Sequence, residues 1–419
     1  MPEADRDGRP RRAIVLAGGG ARGAYEAGVL RFLLETFPKR SGLPVDFEIV
    51  SGTSVGAIHA CFLAATAHLD GAERGRQLVE IWENLHVNDV FRFSSADVIG
   101  LPRKILGMRR LSEQLQAGRR PDRLFGLLDT RPLEQLVIQS IPWRQLRRNL
   151  QEERVEALCV AATQIATGRA VVFVEQAERT LPPWASQTHI RMQDIRMLPV
   201  HALASAAIPL LFPAVRVGAR YYADGGLRLS TPLAPAVRLG ANRVLIVGLG
   251  QGIASDPDEG LAQQRTAGFG NPMFLFGKVL NALLLSPIDT DIARMHLINE
   301  LLESGQAAFG DDFLTRLNEK TVERGGRPVQ KIDHLVIRPS VDLGLIAGEV
   351  VGGPDLKLSP FLRLFMRTFG SGTGPNEADL LSYLLFDTHY ARPLAELGYR
   401  DAEAQEEGLV RFFSDDEPA

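Results

Sequence analysis

Residues 14–30 read IVLAGGGARGAYEAGVL, a short apolar run followed by a glycine cluster and a segment with helical spacing. The run at 13–17 predicts a buried strand, and apolar residues spaced three and four apart across 23–37 predict a helix. Gly18, Gly20 and Gly23 fit the G-x-G-x-x-G pattern of a dinucleotide-binding turn. The same turn gathers backbone N–H groups at a helix N-terminus, where they would equally hold a developing oxyanion. The cluster therefore has two candidate anions, a cofactor's pyrophosphate and a transition state.

A second strand and helix follow closely. The apolar run FEIV at 47–50 leads directly into SGTSVG, and AIHACFLAATAHL continues as a predicted helix. Alternation of strand and helix is typical of a parallel sheet covered by helices, so we expect an α/β fold. Further strands are predicted at 157–163, 168–175, 220–226, 243–250 and 334–340.

The junction at 52–56 reads Gly52-Thr53-Ser54-Val55-Gly56, a G-x-S-x-G pattern. A nucleophile elbow requires a strand before the serine and a helix after it, and both are predicted here. The sharp turn crowds the positions two residues to either side, which favours glycine there. The alternative is an ordinary strand–helix turn with a capping serine.

This junction bears on the glycine cluster. A dinucleotide site needs an acidic residue at the end of the second strand to hold the ribose, but Asp46 and Glu48 fall before or inside that strand. No Gly-Lys-Ser/Thr is present for a Walker-type loop. A serine nucleophile, by contrast, needs N–H donors for its tetrahedral oxyanion. The sequence therefore favours an oxyanion hole.

A nucleophilic serine also needs a base. None of the eight histidines lies in an evident catalytic turn, and each is expected to be a surface or core side chain. Asp224, in YYADGGL, follows a strand pattern and precedes Gly225 and Gly226, so its carboxylate is expected at a strand end. An ordinary Asp-Gly turn is the alternative.

The composition excludes several classes of function. The 419 residues are 45% hydrophobic with a formal net charge of −3, which gives no argument for a nucleic-acid partner. Cys61 and Cys159 lie in apolar runs, which favours buried thiols over a disulfide or a zinc site. No signal peptide is visible, and no run approaches the roughly 20 apolar residues of a membrane span. We expect a soluble cytoplasmic protein.

Three motifs occur together in the order found in one enzyme family. They are Gly18-Gly19-Gly20-Ala21-Arg22-Gly23, Gly52-Thr53-Ser54-Val55-Gly56 and Asp224-Gly225-Gly226. With these motifs, all within residues 12–250, the chain resembles the patatin-like phospholipases, as do its stretches 204–215 and 230–241. The strand at 334–340 and a helix at 381–399 resemble a bacterial C-terminal extension.

The resemblance implies a three-layer α/β/α fold with a mainly parallel sheet and a lipid acyl hydrolase, a phospholipase A or lysophospholipase, that needs no metal or cofactor. It implies that Ser54 is the nucleophile and that Asp224 takes its proton. The loop with Gly18, Gly19, Gly20 and Gly23 would form the oxyanion hole. Arg22 would brace this loop or meet a phosphate, or it is a solvated arginine in the first helical turn. An aspartate with a pKa near ~3.9 is a poor base, so the site must raise it by excluding water.

We predict three parts of the chain: a disordered tail at 1–11, a catalytic domain at 12–345, and a helical extension with an acidic tail at 346–419. The catalytic domain carries insertions at 92–148 and at about 255–330. The first has twelve Lys or Arg against five Asp or Glu, so it predicts either peripheral contact with an anionic inner membrane surface or a solvated basic face. The apolar stretch 274–286 predicts a lid or interfacial helix, or a core helix.

Two other functions stay open. An esterase, thioesterase or acyltransferase would use the same acyl-enzyme with another donor or acceptor. A dinucleotide-binding module would leave Ser54 idle. The sequence decides neither the head group, nor the acyl chain, nor the oligomeric state.

Overall fold

The structure is a computed structural model that describes residues 10–92, 121–124, 126–177, 180–185, 189–251, 288–353 and 378–414, with positions 279 and 282. The whole of 93–120 lies outside these residues, as do residues 1–9 of the predicted tail and, apart from positions 279 and 282, the predicted segment 274–286. Arg11, which the sequence places in that tail, donates from its backbone N–H to Asn242 over 2.8 Å.

The strands are β1 Arg12–Leu16, β2 Ile49–Thr53, β3 Ala157–Gln164, β4 Arg169–Gln176, β5 Ile190–Asp194, β6 Val215–Val217, β7 Arg220–Asp224, β8 Arg243–Val247 and β9 Asp333–Ile337. In this part of the chain they form one sheet with the order β5-β4-β3-β2-β1-β8-β9, and β7 pairs with β3 and β6. Five strand pairs are parallel and three are antiparallel. The predicted mainly parallel sheet is confirmed, whereas β5 and β6 are strands that the sequence did not predict.

The helices are α1 Gly23–Arg31, α2 Phe37–Ser41, α3 Val55–Thr66, α4 Gly71–Glu83, α5 Val87–Val90, α6 Arg131–Ser140, α7 Trp143–Gln151, α8 Pro199–Ser205, α9 Leu233–Arg238, α10 Ile288–Phe309, α11 Phe313–Glu323, α12 Leu343–Gly352, α13 Ala378–Leu384, α14 Thr388–Glu403 and α15 Glu406–Phe413. A π-helical stretch, Phe32–Thr36, joins α1 to α2. No described helix is long and apolar enough to cross a membrane.

The sheet has a core on each face, because alternate residues of its strands point to opposite sides. Ile14 and Leu16 of β1 join the larger core with α1, α3 and α4, whereas Ala13 and Val15 join the smaller one with α9 and Met295 of α10. Burial on both faces is typical of parallel sheets between helices. The predicted α/β/α layers are thus present. Both cysteines are buried and free, and burial raises the pKa of the Cys159 thiol to about 12.

The C-terminal helices pack on the layer that carries the glycine cluster. A Cβ atom on Gly28 of α1 would lie 1.9 Å from the Ala395 oxygen of α14, and one on Gly398 would lie 2.1 Å from the Tyr25 oxygen. These glycines therefore let α1 and α14 cross in close contact. The single helix predicted at 381–399 is wrong: α13 ends at Leu384, and Asp387 caps α14 by accepting from the His389 N–H over 2.9 Å.

Candidate active site

Ser54 lies at the turn between β2 and α3. Its backbone has φ 55 and ψ −123, a strained conformation for a residue with a side chain. The turn is tight on both sides: a Cβ on Gly52 would lie 2.1 Å from the Gly56 oxygen, and one on Gly56 would lie 2.5 Å from the Leu16 oxygen. The backbone therefore admits only glycine at these two positions.

Asp224 lies next to Ser54 because β2 and β7 pair with adjacent residues of β3. Along one side of β3 runs β4, so β2 and β7 share the other side. Parallel β2 ends with Thr53 opposite Ala161, and antiparallel β7 ends with Asp224 opposite Ala162. The carboxyl ends of β2 and β7 thus meet head to head at adjacent residues of β3.

The two side chains are joined at this meeting point. The Ser54 hydroxyl donates to Asp224 Oδ2 over 2.6 Å, and the Gly226 N–H donates to Oδ1 over 2.7 Å. Both residues are buried, at 4% and 0% exposure. Burial raises the pKa of Asp224 from 3.8 to about 7, against the lowering effect of the bonds from Ser54 and Gly226. The carboxyl group can therefore gain and lose a proton near neutral pH.

The glycine cluster lies directly against Ser54. A Cβ on Gly18 would lie 3.0 Å from the Cβ of Ser54. The Gly18 N–H donates to the Ser230 oxygen over 3.0 Å, whereas the N–H groups of Gly19 and Gly20 make no hydrogen bond with other described residues. Gly20 has φ +58, the left-handed region that glycine adopts without strain. Two backbone donors are thus available beside the serine.

An apolar pocket is lined by Ser54 and Gly20. Its walls are stripes of three helices at spacings of three and four residues. The stripes include Val55, Ile58 and Phe62 of α3, Leu78 and Ile81 of α4 with Leu85 just beyond its end, and Leu133, Leu136 and Val137 of α6. The helix α6 belongs to the basic insertion at 92–148, for which the sequence did not predict a pocket wall.

Comparison with known proteins agrees with these motifs. The sequence model of the family Patatin-like phospholipase matches residues 14–237, which is more than half of the chain. The chain belongs to the patatin-like phospholipase family. This membership indicates a lipid hydrolase.

Two solved structures are weakly similar to this member of the family. VipD from Legionella pneumophila is 15% identical with a TM-score of 0.31, covering 96% of this chain and 75% of that one. The ExoU–SpcU complex from Pseudomonas aeruginosa is 15% identical with a TM-score of 0.26, covering 96% and 76%. No curated protein sequence matches the chain. The family assignment therefore depends on the sequence model.

Ser205 is a residue of this patatin-like site that sequence reasoning missed. Its hydroxyl accepts the Ser54 backbone N–H over 2.8 Å and donates to the Ala161 oxygen over 2.5 Å. Ser205 is fully buried at the end of α8, and it ties the strained turn to β3. Nothing in the stretch ALASAAIP distinguishes this serine, because its partners come from distant parts of the chain.

Arg22 is buried at 2% exposure, so the alternative of a solvated arginine is wrong. Its Nε donates to the Ser382 hydroxyl over 2.8 Å, and its Cζ lies 4.5 Å from the centre of the Tyr383 ring. It braces the glycine cluster from the side of α13. The next residue of the motif, Gly23, packs against Val55 and Trp82, where a Cβ would lie 2.5 Å from Val55 Cγ2.

No histidine among the described residues hydrogen-bonds Ser54. His59 lines the pocket, but its Nδ1 pairs with Glu26 over 2.8 Å, and its Nε2 accepts from the Trp82 indole over 2.9 Å. Burial lowers the pKa of His201 to about 4, and its Nδ1 accepts from the Leu198 N–H. Asp224 is therefore the titratable side chain in contact with the serine.

Glu48, weighed above as a ribose ligand, serves the sheet instead. Its Oε2 accepts the Arg12 N–H over 2.6 Å where β1 begins, at the opposite end of the strands from Ser54.

In the basic insertion, three arginines of the described part form ion pairs: Arg123 with Glu134, Arg131 with Asp129, and Arg147 with Glu175.

Proposed function

We propose that this protein is a serine acyl hydrolase that cleaves a carboxylic ester of a phospholipid or lysophospholipid with a Ser54–Asp224 dyad. The observation that carries the proposal is the 2.6 Å bond to a buried Asp224 from Ser54, which lines an apolar pocket. A lone aspartate suffices as base here because burial brings its pKa to about 7.

The first half-reaction forms the acyl-enzyme. Asp224 Oδ2 accepts the proton of the Ser54 hydroxyl while Oγ attacks the ester carbonyl carbon. The carbonyl oxygen becomes negative, and the N–H groups of Gly19 and Gly20, which make no hydrogen bond with other described residues, would stabilise it. When the C–O bond to the alcohol breaks, Asp224 returns its proton to the leaving oxygen.

The second half-reaction consumes water. Asp224 takes a proton from water as the hydroxide oxygen attacks the acyl carbon, and the same glycine donors hold the second oxyanion. Collapse breaks the bond to Ser54 Oγ, which recovers the proton from Asp224 and releases a fatty acid. All atoms and protons of the two half-reactions are accounted for by the ester, water and these residues.

The pocket supports a long apolar acyl group. The α3 stripe runs from Val55, next to Ser54, to Phe62, which at ~1.5 Å per residue is about 10 Å of helix. Burying the methylene groups of a chain against this stripe contributes about 0.8 kcal/mol each. Acyl esters with long chains are therefore the expected substrates.

The test is labelling with a fluorophosphonate probe. Wild-type protein should be labelled, Ser54→Ala should not, and Ser41→Ala in α2 should be labelled as wild type. Mass spectrometry of a mixed phospholipid extract should show free fatty acids after incubation with the wild type and none after incubation with Ser54→Ala. Labelling or fatty-acid release that survives Ser54→Ala refutes the proposal.

A further inference from the structure

The helix α13 touches the glycine cluster, although it lies outside the residues 14–237 that match the family model. Ser382 accepts from Arg22 Nε over 2.8 Å, and the Tyr383 ring lies under the guanidinium at 4.5 Å. A Cβ on Gly20 would lie 2.4 Å from the Tyr383 backbone oxygen. The loop with the free N–H donors is thus held against α13 by both its backbone and its arginine.

This contact is dry. Ser382 and Tyr383 are fully buried and Arg22 is 2% exposed. A buried guanidinium is costly unless its N–H groups are hydrogen-bonded, so the position of Arg22 depends on the partners that α13 supplies. A cation over an aromatic ring is also attracted more strongly when water is excluded. Moving α13 would therefore move Arg22, and with it the loop.

The helix is itself anchored to the rest of the fold. It packs against α12, and the Tyr390 hydroxyl of α14 donates to the Leu343 oxygen of α12 over 3.0 Å. The helix α14 also crosses α1 closely at Gly28 and Gly398. Since α1 follows the glycine cluster directly, this crossing connects the C-terminal helices to the loop. The helices behind the loop are therefore packed against the helix that follows it.

We propose that Ser382 and Tyr383 are positioning residues for the oxyanion hole, acting through Arg22 and the backbone of Gly20. The inference rests on the proposed function, since it requires that the glycine loop binds the oxyanion. Donors of this kind act only when held in place, and a displacement of about 1 Å can cost roughly a hundredfold in rate. The oxyanion hole would then be complete only with the C-terminal helices.

The experiment uses the full chain with Ser382→Ala, Ser382→Thr, Tyr383→Leu and Tyr383→Phe. Each is assayed on a soluble short-chain p-nitrophenyl ester for kcat and KM, and for its rate of modification by the fluorophosphonate. We expect kcat and the modification rate of Ser382→Ala and Tyr383→Leu to fall about tenfold or more, with KM changed less than about twofold. Ser382→Thr and Tyr383→Phe should recover most of the loss because they keep the hydroxyl acceptor and the ring.

The matched control is Tyr399→Leu. Arg31 Cζ lies 6.0 Å from the Tyr399 ring, which packs on Phe32 at 5.2 Å, so this variant removes a similar pair far from the loop. It should lower Tm while kcat stays within about twofold of wild type.

Unchanged kcat in both folded variants, Ser382→Ala and Tyr383→Leu, would overturn the inference. An equal loss in Tyr399→Leu would overturn it too, since the effect would then be one of stability. Wild-type protein without esterase activity would instead refute the proposed function.

Discussion

Replacing Asp224 by asparagine should remove activity and, at the same time, make the fold less sensitive to rising pH. Asparagine keeps the shape: its amide oxygen can accept from Gly226, and its NH₂ can donate to Ser54. It cannot accept the serine proton, so kcat should fall by about 10² or more.

The stability effect follows from the pKa of Asp224, which rises from 3.8 when unfolded to about 7 when folded. Between these values the folded protein holds a proton that the unfolded chain has released, so wild-type stability falls as pH rises through this window. Each pKa unit corresponds to about 1.36 kcal/mol, and about two units lie between pH 5 and pH 7. The asparagine side chain of the variant carries no such proton. The stability of the Asp224→Asn variant relative to wild type should therefore increase by about 3 kcal/mol from pH 5 to pH 8.

Urea unfolding of both proteins at pH 5 and pH 8 measures this difference, and Asp70→Asn, at the exposed N-cap of α4, controls for an amide substitution as such. The kcat/KM of wild type should rise with pH up to about 7 and then level off, because the base must be deprotonated. A relative stability that does not depend on pH would refute the buried, proton-holding Asp224. An Asp224→Asn enzyme with wild-type kcat would refute its role as base.

Four further predictions follow from the site. Gly20→Ala should lower kcat by about 10²–10³ with KM nearly unchanged, since its Cβ would meet the Tyr383 oxygen at 2.4 Å and displace a donor; a change in KM alone would mean that the loop binds substrate. Ser205→Ala should leave the Ser54 N–H unpaired and lower kcat by about tenfold. Ser205→Thr, if it folds, should restore part of this loss. Equal kcat for Ser205→Ala and wild type would contradict a role of Ser205 in positioning Ser54. His59→Ala should keep kcat within about tenfold, whereas a loss as large as that of Ser54→Ala would demand a triad. Binding to anionic vesicles should exceed binding to zwitterionic ones and weaken with salt, as expected if the Lys and Arg residues of 92–148 contact the membrane surface; equal binding to both would leave this segment a solvated face.

The local parts of the site could be predicted from sequence because their chemistry is local. The elbow around Ser54 needs a strand, two glycines and a helix in succession, and all lie within 47–66. The link between Ser54 and Asp224 spans 170 residues, and it was suggested by the position of Asp224 at a predicted strand end together with the family resemblance. The spacing of apolar residues in the sequence does not show which residues of β2, β3 and β7 pair with one another.

The parts that could not be predicted depend on contacts between distant segments. The wall that α6 gives to the pocket lies in a stretch whose excess of arginine suggested a surface, although Leu133, Leu136 and Val137 are spaced as one helical face. Ser382 has no distinguishing neighbours in LSYLL, and its partner Arg22 lies 360 residues away. Arg22 itself was open to three interpretations, and burial decided among them.

The head-to-head arrangement of β2 and β7 on β3 has a consequence for how this enzyme can change. Two neighbouring residue pairs, Thr53 with Ala161 and Asp224 with Ala162, set the distance between serine and aspartate, and neither involves the chain between residues 54 and 157. Side chains of 92–148 that line the pocket, such as Leu133, Leu136 and Val137, can therefore be exchanged to suit another lipid while the reacting atoms stay at the same separation. Substrate choice and bond-breaking chemistry are free to diverge at different rates.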